Sequence, residues 1–220
     1  MARQALVIGA SGGVGQALAT ELERREYTVA RLSRQQDGFD ITCEKDVSEK
    51  LGRLEIKFDL VIVATGILSG PGGPEKSMRA VSADEMARVF AVNAIGPALI
   101  LKHAKQLFVR DQRAVFAALS ARVGSIGDNA LGGWYSYRAS KAALNQIVRT
   151  AAIELNRTHR QLICTALHPG TVATNFTRNY PNHTTVAPEQ AATNLLNVIE
   201  GLAPKDSGRF FDWAGHEVPW

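Results

Sequence analysis

A chain of 220 residues with 45% hydrophobic and 21% charged side chains is long enough to bury a sizeable core, which excludes a disordered or low-complexity protein. Its 25 basic and 21 acidic residues leave a net charge of only +4 with no run of five like charges, so no nucleic-acid-binding face is expected. The two cysteines, Cys43 and Cys164, match no metal or redox spacing, and no stretch nears the roughly 20 apolar residues of a spanning helix. The opening MARQALVIGA carries no signal-peptide pattern. The expectation is a cytoplasmic protein that engages neither membrane nor nucleic acid and holds no metal.

Along the chain, two periods alternate. ALVIGA (5–10) is an apolar run ending in glycine and reads as a strand, and VGQALATELERREY (14–27) then sets Val14, Leu18 and Leu22 at helical spacing. YTVARLS (27–33) and FDLVIVATG (58–66) return to strand character. The glycine- and proline-rich LSGPGGPEKS (68–77) reads as an exposed loop. A helix over about 82–110 includes Met86, Phe90 and Leu99, RAVFAALS (113–120) is a strand, and a further helix runs from YSYRASKAAL to about Leu155. QLICTALHPG (161–170) and GRFFDW (208–213) are the last strands. Between them Pro188 opens a helix with Leu195, Leu196, Val198 and Ile199. Strands joined by helical crossovers pair in parallel, and apolar runs such as DLVIV suit strands covered on both faces. The expected fold is α/β: one doubly wound parallel sheet of Rossmann type with helices on both faces, spanning residues 1–220 as one domain.

Chemistry concentrates at two places. GASGGVGQ (9–16) lies between the first strand and the first helix, with Gly9, Gly13 and Gly15 in a G-x-x-x-G-x-G pattern. Glycines there permit a tight turn, close approach of a pyrophosphate and close helix packing, while the helix N-terminus offers free amides to an anion. Contacts to such a ligand are expected from Ser11, Gly12, Gly13 and Val14. At the end of the second strand, Ser33 and Arg34 stand where an acid would select NAD, so NADP is favoured and NAD stays open; a loop arginine with no ligand is the alternative. The second place is Tyr137 and Lys141, four apart and therefore on one face of a helix. Alone, the pair fits either a solvated surface or a phenol whose proton an ammonium manages.

Together these elements resemble the short-chain dehydrogenase/reductase family over essentially the whole chain. Tyr137 and Lys141 match its Y-x-x-x-K motif, VNAIGP (92–97) its asparagine segment, and HPGTVAT (168–174) its P-G segment. GGWYSYRASKAALNQ and FFDWAGHEVPW are similar to the C-factor-like and sniffer-like carbonyl reductases. The resemblance implies Tyr137 as general acid/base, Lys141 on the nicotinamide ribose, and Asn93 holding a water that links Lys141 to solvent. It implies further cofactor contacts at Asp40, Ile41, Ala64, Thr65, Gly66, Pro169, Gly170, Val172 and Thr174. An ammonium beside the phenol is expected to lower its pKa. The substrate is expected to be a small or medium carbonyl or the matching alcohol, its specificity set by residues around 175–187 and 126–134, and the protein a homo-oligomer.

Three departures from the family pattern stand out. Ile8 replaces a common threonine, Ala64-Thr65-Gly66 replaces N-A-G, and LSARVGS offers Ser120 followed by Ala121 where two serines are usual. Ser120 ends a strand and is the expected catalytic serine; Ser125, in a loop, is the alternative. His103, Trp134 and Trp213 are expected to be structural, and His168 stays open for a site role. Two non-enzymatic readings also stay open: a dinucleotide sensor, and a cell-signalling protein on the same fold.

Overall fold

The computed structural model describes residues 2–178 and 184–220. Six parallel strands form one sheet in the order β2-β1-β3-β4-β5-β6. They are β1 (Arg3–Ile8), β2 (Tyr27–Leu32), β3 (Leu60–Val63), β4 (Ala114–Leu119), β5 (Leu162–His168) and β6 (Phe210–Asp212). Helices α1 (Gly13–Arg24), α2 (Arg34–Asp37), α3 (Glu44–Gly52), α4 (Ala83–Phe90), α5 (Gly96–Ala104), α6 (Tyr135–Leu155) and α7 (Pro188–Gly201) connect them. This is the expected doubly wound fold, and every expected strand run overlaps one of the six, β1 beginning two residues before its run.

Period-two alternation sorts each strand between two cores. Leu6 and Ile8 of β1 join Ile100, Leu144 and Val148 on one face, while Ala5 and Val7 join Leu18, Leu195 and Ile199 on the other. The fully buried β3 and β4 need cover on both sides, and α1 with α7 and α3 with α5 and α6 supply it. The strand order reverses at β1, between β2 and β3, so a crevice opens beyond the carboxyl ends of β1 and β3. No helix among the described residues is long and apolar enough to cross a membrane.

Three local differences from expectation matter. Helix α3 carries only Val47 and Leu51 on its buried face, too short an apolar pattern to stand out in sequence. The long helix expected over 82–110 is broken at Ala91–Ile95 by a π-helical turn. Pro97 has no N–H for the carbonyl of Asn93, so the regular ladder fails there and the turn widens. The loop over 68–77 is not simply exposed, because Pro74 and Glu75 are buried.

Candidate active site

The turn after β1 is built for close approach. Gly9 has φ of 88°, and its N–H donates to Leu32 O at 2.8 Å, tying the turn to the end of β2. A Cβ on Gly15 would sit 2.2 Å from Gly9 O, so only glycine lets α1 pack on the turn. A Cβ on Gly13 would meet Thr174 Cγ2 at 2.7 Å. The N-cap Gly12 supplies no side-chain cap and the first turn holds no acid, which leaves the leading amides and the positive helix end to an anion.

Facing the turn, a cleft of about 770 Å³ reaches Tyr137 and Lys141 on α6. Both side chains are buried, at 7% and 3% exposure. Lys141 Nζ lies 5.9 Å from the centroid of the Tyr137 ring and donates to Leu119 O at 2.7 Å. A Cβ on Gly66 would be 3.5 Å from Lys141 Nζ and from Asn93 Oδ1 alike, which places the asparagine beneath the same spot. Asn93 Oδ1 accepts the Ile67 N–H at 2.9 Å, and its Nδ2 donates to Ile67 O at 2.8 Å and to Ser140 Oγ at 3.1 Å. That side chain ties the segment after β3 to α6.

Burial dominates the titration of the pair. It pushes the Tyr137 phenol above its ordinary value and Lys141 down to about 7. Burial of the phenol thus acts against the lowering expected from Lys141 and an oxidised nicotinamide ring. At neutral pH the phenol is protonated, which is the form able to donate.

Of the expected cofactor contacts, Ser11, Gly12, Gly13 and Val14 line the cleft from the first turn. Ala64, Thr65 and Gly66 line it from the segment after β3, Lys141 from α6, and Pro169, Gly170, Val172 and Thr174 from the segment after β5. Gly9 and Gly15 sit behind the turn. Ser33, Arg34, Asp40 and Ile41 do not line the cleft; Gln35, on the first turn of α2, does. Asp40 Oδ1 instead accepts from Thr42 N and Oγ1, and Ile41 is buried against Gly96. Although no acid stands at 33 or 34, Asp37 Oδ2 accepts the Ser33 N–H at 2.8 Å and the Ser33 hydroxyl at 3.2 Å. The fold thus carries a carboxylate back to the end of β2 from four residues on.

Ser120 lines the cleft and donates to Asn145 Oδ1 at 2.6 Å. Ser125 is buried off the cleft, where its Oγ accepts the Asp128 N–H at 3.1 Å. Ala121 and Arg122 also line the cleft, as do Trp134, expected to be structural, and His168, left open by the sequence. The Trp134 and Phe176 rings lie 6.2 and 5.9 Å from that of Tyr137. Part of the expected specificity segment, residues 179–183, lies outside the described residues. His103 is off the site on α5, its buried Nε2 without a hydrogen-bond partner. Trp213 is half-exposed and packs beside Gly170. Among the described residues no cluster of His, Cys, Asp or Glu could hold a metal ion.

Two lining residues carry buried polar atoms with no partner, Thr65 Oγ1 and His168 Nδ1. With the turn that a Cβ would fill and the uncapped helix end, they fit a nicotinamide dinucleotide, whose phosphates the α1 amides would hold.

The family described as Enoyl-(Acyl carrier protein) reductase matches residues 39–200. The 1-hydroxy-2-glutathionyl-2-methyl-3-butene dehydrogenase of Rhodococcus sp. (strain AD45) is 31% identical, over 98% of each chain. The C-signal of Myxococcus xanthus is 40% identical over 62% of this chain and 79% of its own. The NADPH-bound carbonyl reductase from chicken fatty liver superposes with a TM-score of 0.79 at 23% identity, covering 100% of this chain and 94% of that one, and shares the fold. On these matches the chain belongs to the short-chain dehydrogenase/reductase family and is an oxidoreductase.

Proposed function

We propose that this oxidoreductase interconverts a small or medium apolar carbonyl and its alcohol, with NADP preferred and NAD also accepted. The observation that carries the reading is the buried Tyr137–Lys141 pair, at the end of a cleft that begins at the glycine turn. The dinucleotide, when bound, supplies or accepts the hydride. Tyr137 gives its phenolic proton to the carbonyl oxygen, or takes one from the alcohol in reverse. Lys141 orients the ribose and stands ready to return the proton, while Asn93 holds open a path from Lys141 towards solvent. Ser120 donates to the substrate oxygen and steadies the charge that develops there. Leu68, Trp134 and Phe176 give the pocket an apolar wall that excludes water and suits an apolar substrate.

The Rhodococcus relative is named as a dehydrogenase of an alcohol, which supports the same interconversion here. We also propose a cytoplasmic homo-oligomer: Cys43 and Cys164 are both free thiols, and Ile95 and Ile153 are exposed. Following NADPH absorbance with a panel of ketones and aldehydes, and NADP or NAD reduction with the alcohols, tests the activity. Tight cofactor binding without turnover of any member would overturn the enzymatic reading and favour a sensor. A signalling role has one supporting observation, the 40% identity to C-signal. A partner captured equally by the wild type and by Tyr137→Phe would favour it.

A further inference from the structure

The first turn of α6, which carries Tyr137, has no cap of its own. Its N-cap is Trp134, whose side chain makes no capping bond and whose backbone is left-handed, with φ of 54°. Gly132 and Gly133 just before it are left-handed too, at 63° and 67°. Glycine tolerates that conformation and tryptophan does not, so Trp134 stays there only because its surroundings hold it. The holder comes from the loop over 68–77. Glu75 O accepts the Trp134 N–H at 2.6 Å. Glu75 Oε2 accepts the Ser136 N–H at 3.3 Å, and Oε1 accepts the Ser136 hydroxyl. Glu75 is 6% exposed and Ser136 is 1% exposed, so this clasp is sealed from water. One carboxylate thereby caps the helix from 61 residues away in sequence. Backbone and carboxylate of Glu75 together grip the chain on both sides of Tyr135, the carbonyl at Trp134 and the carboxylate at Ser136, beside the Trp134 ring that meets the Tyr137 ring edge-on.

We propose that Glu75 is a positioning residue for Tyr137, fixing the phenol and the Trp134 wall of the pocket through the first turn of α6. The proposal rests on Tyr137 being the proton donor. An acceptor at Glu75 stabilises the leading turn, and the backbone bond to Trp134 sets the ring that faces the substrate. Glu75 does not line the cleft, so it touches neither substrate nor cofactor.

The test compares Glu75→Ala, Glu75→Gln and Ser136→Ala with the wild type. Readouts are kcat and KM for a carbonyl, NADPH affinity by fluorescence, and hydrogen exchange of the amides of residues 134–138. Glu75→Ala should lower kcat by about tenfold or more, the scale on which misplacement of a reacting group acts. NADPH affinity should stay within about twofold, and exchange at 135–138 should rise while α7 stays protected and the Trp134 amide, held by the backbone carbonyl of residue 75, changes least. Glu75→Gln, which keeps one acceptor, should recover part of kcat. Ser136→Ala should add little in the Glu75→Ala background, because the two act through one clasp. Unchanged exchange in Glu75→Ala would overturn the proposal whatever the activity does. So would a fall in kcat matched by an equal fall in NADPH affinity. A wild type that turns over no carbonyl defeats the functional reading instead, and the exchange measurement still decides whether Glu75 fixes the turn.

Discussion

Substituting the serines separates two readings of the substrate-oxygen donor. A hydroxyl has one proton to give, and Ser120 gives it to Asn145 Oδ1 at 2.6 Å. To serve a substrate oxygen it must surrender that bond, a net loss of roughly 0.5–1.5 kcal/mol. A donor to a developing oxyanion is worth about 2.7–4 kcal/mol. The difference, about 1–3.5 kcal/mol, puts the fall in kcat for Ser120→Ala at roughly fivefold to a few hundredfold. NADPH affinity should barely change. The same substitution strands Asn145 Oδ1 in a buried site, so stability should also fall by about 1–3 kcal/mol. Ser125→Ala loses only an acceptor for the Asp128 N–H, off the cleft, and should leave kcat within about twofold. Ala121→Ser tests the geometry from the other side. Ser120 and Ala121 both lie beyond the last residue of β4 and both line the cleft, so strand alternation no longer sends them to opposite faces. In the Ser120→Ala background, Ala121→Ser should restore part of the lost rate. Steady-state kinetics with one carbonyl, beside urea unfolding, measures all three. Loss of turnover in Ser125→Ala with full activity in Ser120→Ala would refute the assignment.

Tyr137→Phe keeps the ring and deletes the proton, so NADPH should bind while turnover falls by at least about a hundredfold; retained turnover would remove Tyr137 from the mechanism. Lys141→Ala should weaken NADPH binding as well as rate, measurable by titrating cofactor fluorescence. For cofactor choice, Arg34→Ala should weaken NADPH by about tenfold and spare NADH, since a charge-assisted contact contributes roughly 1.5–3 kcal/mol. Asp37→Asn should shift the NADPH:NADH ratio the other way by about fivefold, by removing a like charge beside a 2′-phosphate. Equal shifts for both cofactors would place neither residue at the 2′ position. Burial lowers His168 from 6.5 to about 4, so its stabilising share is present above pH 6.5 and is lost as pH falls towards 4. That share is at most about 3 kcal/mol, and His168→Asn should flatten the acid limb of a urea-unfolding series between those two values.

The signals legible in sequence were those written in consecutive residues. DLVIV suits a strand covered on both faces, and its place in the alternation of strands and helical crossovers makes β3 and the parallel sheet legible. The glycine turn is legible because Gly9, Gly13 and Gly15 answer steric demands within one strand–turn–helix unit. Pro97 held a further signal, since a proline four residues after Asn93 foretells the π turn that holds the asparagine. The place of Asp37 is not legible at the strand end, because the short helix α2 folds the carboxylate of its last residue back onto Ser33. Asn145 stands one helical turn past Lys141, on the face already occupied by Tyr137, yet nothing local says that it will engage Ser120 on β4's carboxyl end.

The Tyr137–Lys141 pair shows most clearly where a local reading fails. Four-residue spacing guarantees a shared helix face, and in water a shared face would let the ammonium draw the phenol towards phenolate. Burial acts against that attraction: it penalises both charges, raising the phenol and bringing Lys141 to about 7. Spacing along a helix fixes which groups meet; the depth at which the helix is buried shifts how readily each takes a charge. Depth here is set by residues far away in the chain. Gly124 matters because a Cβ there would strike Lys141 Cβ at 2.7 Å, and Glu75 matters because it clasps the first turn of the helix. A motif of two residues therefore names the chemistry, while long-range contacts set the burial against which the pair titrates.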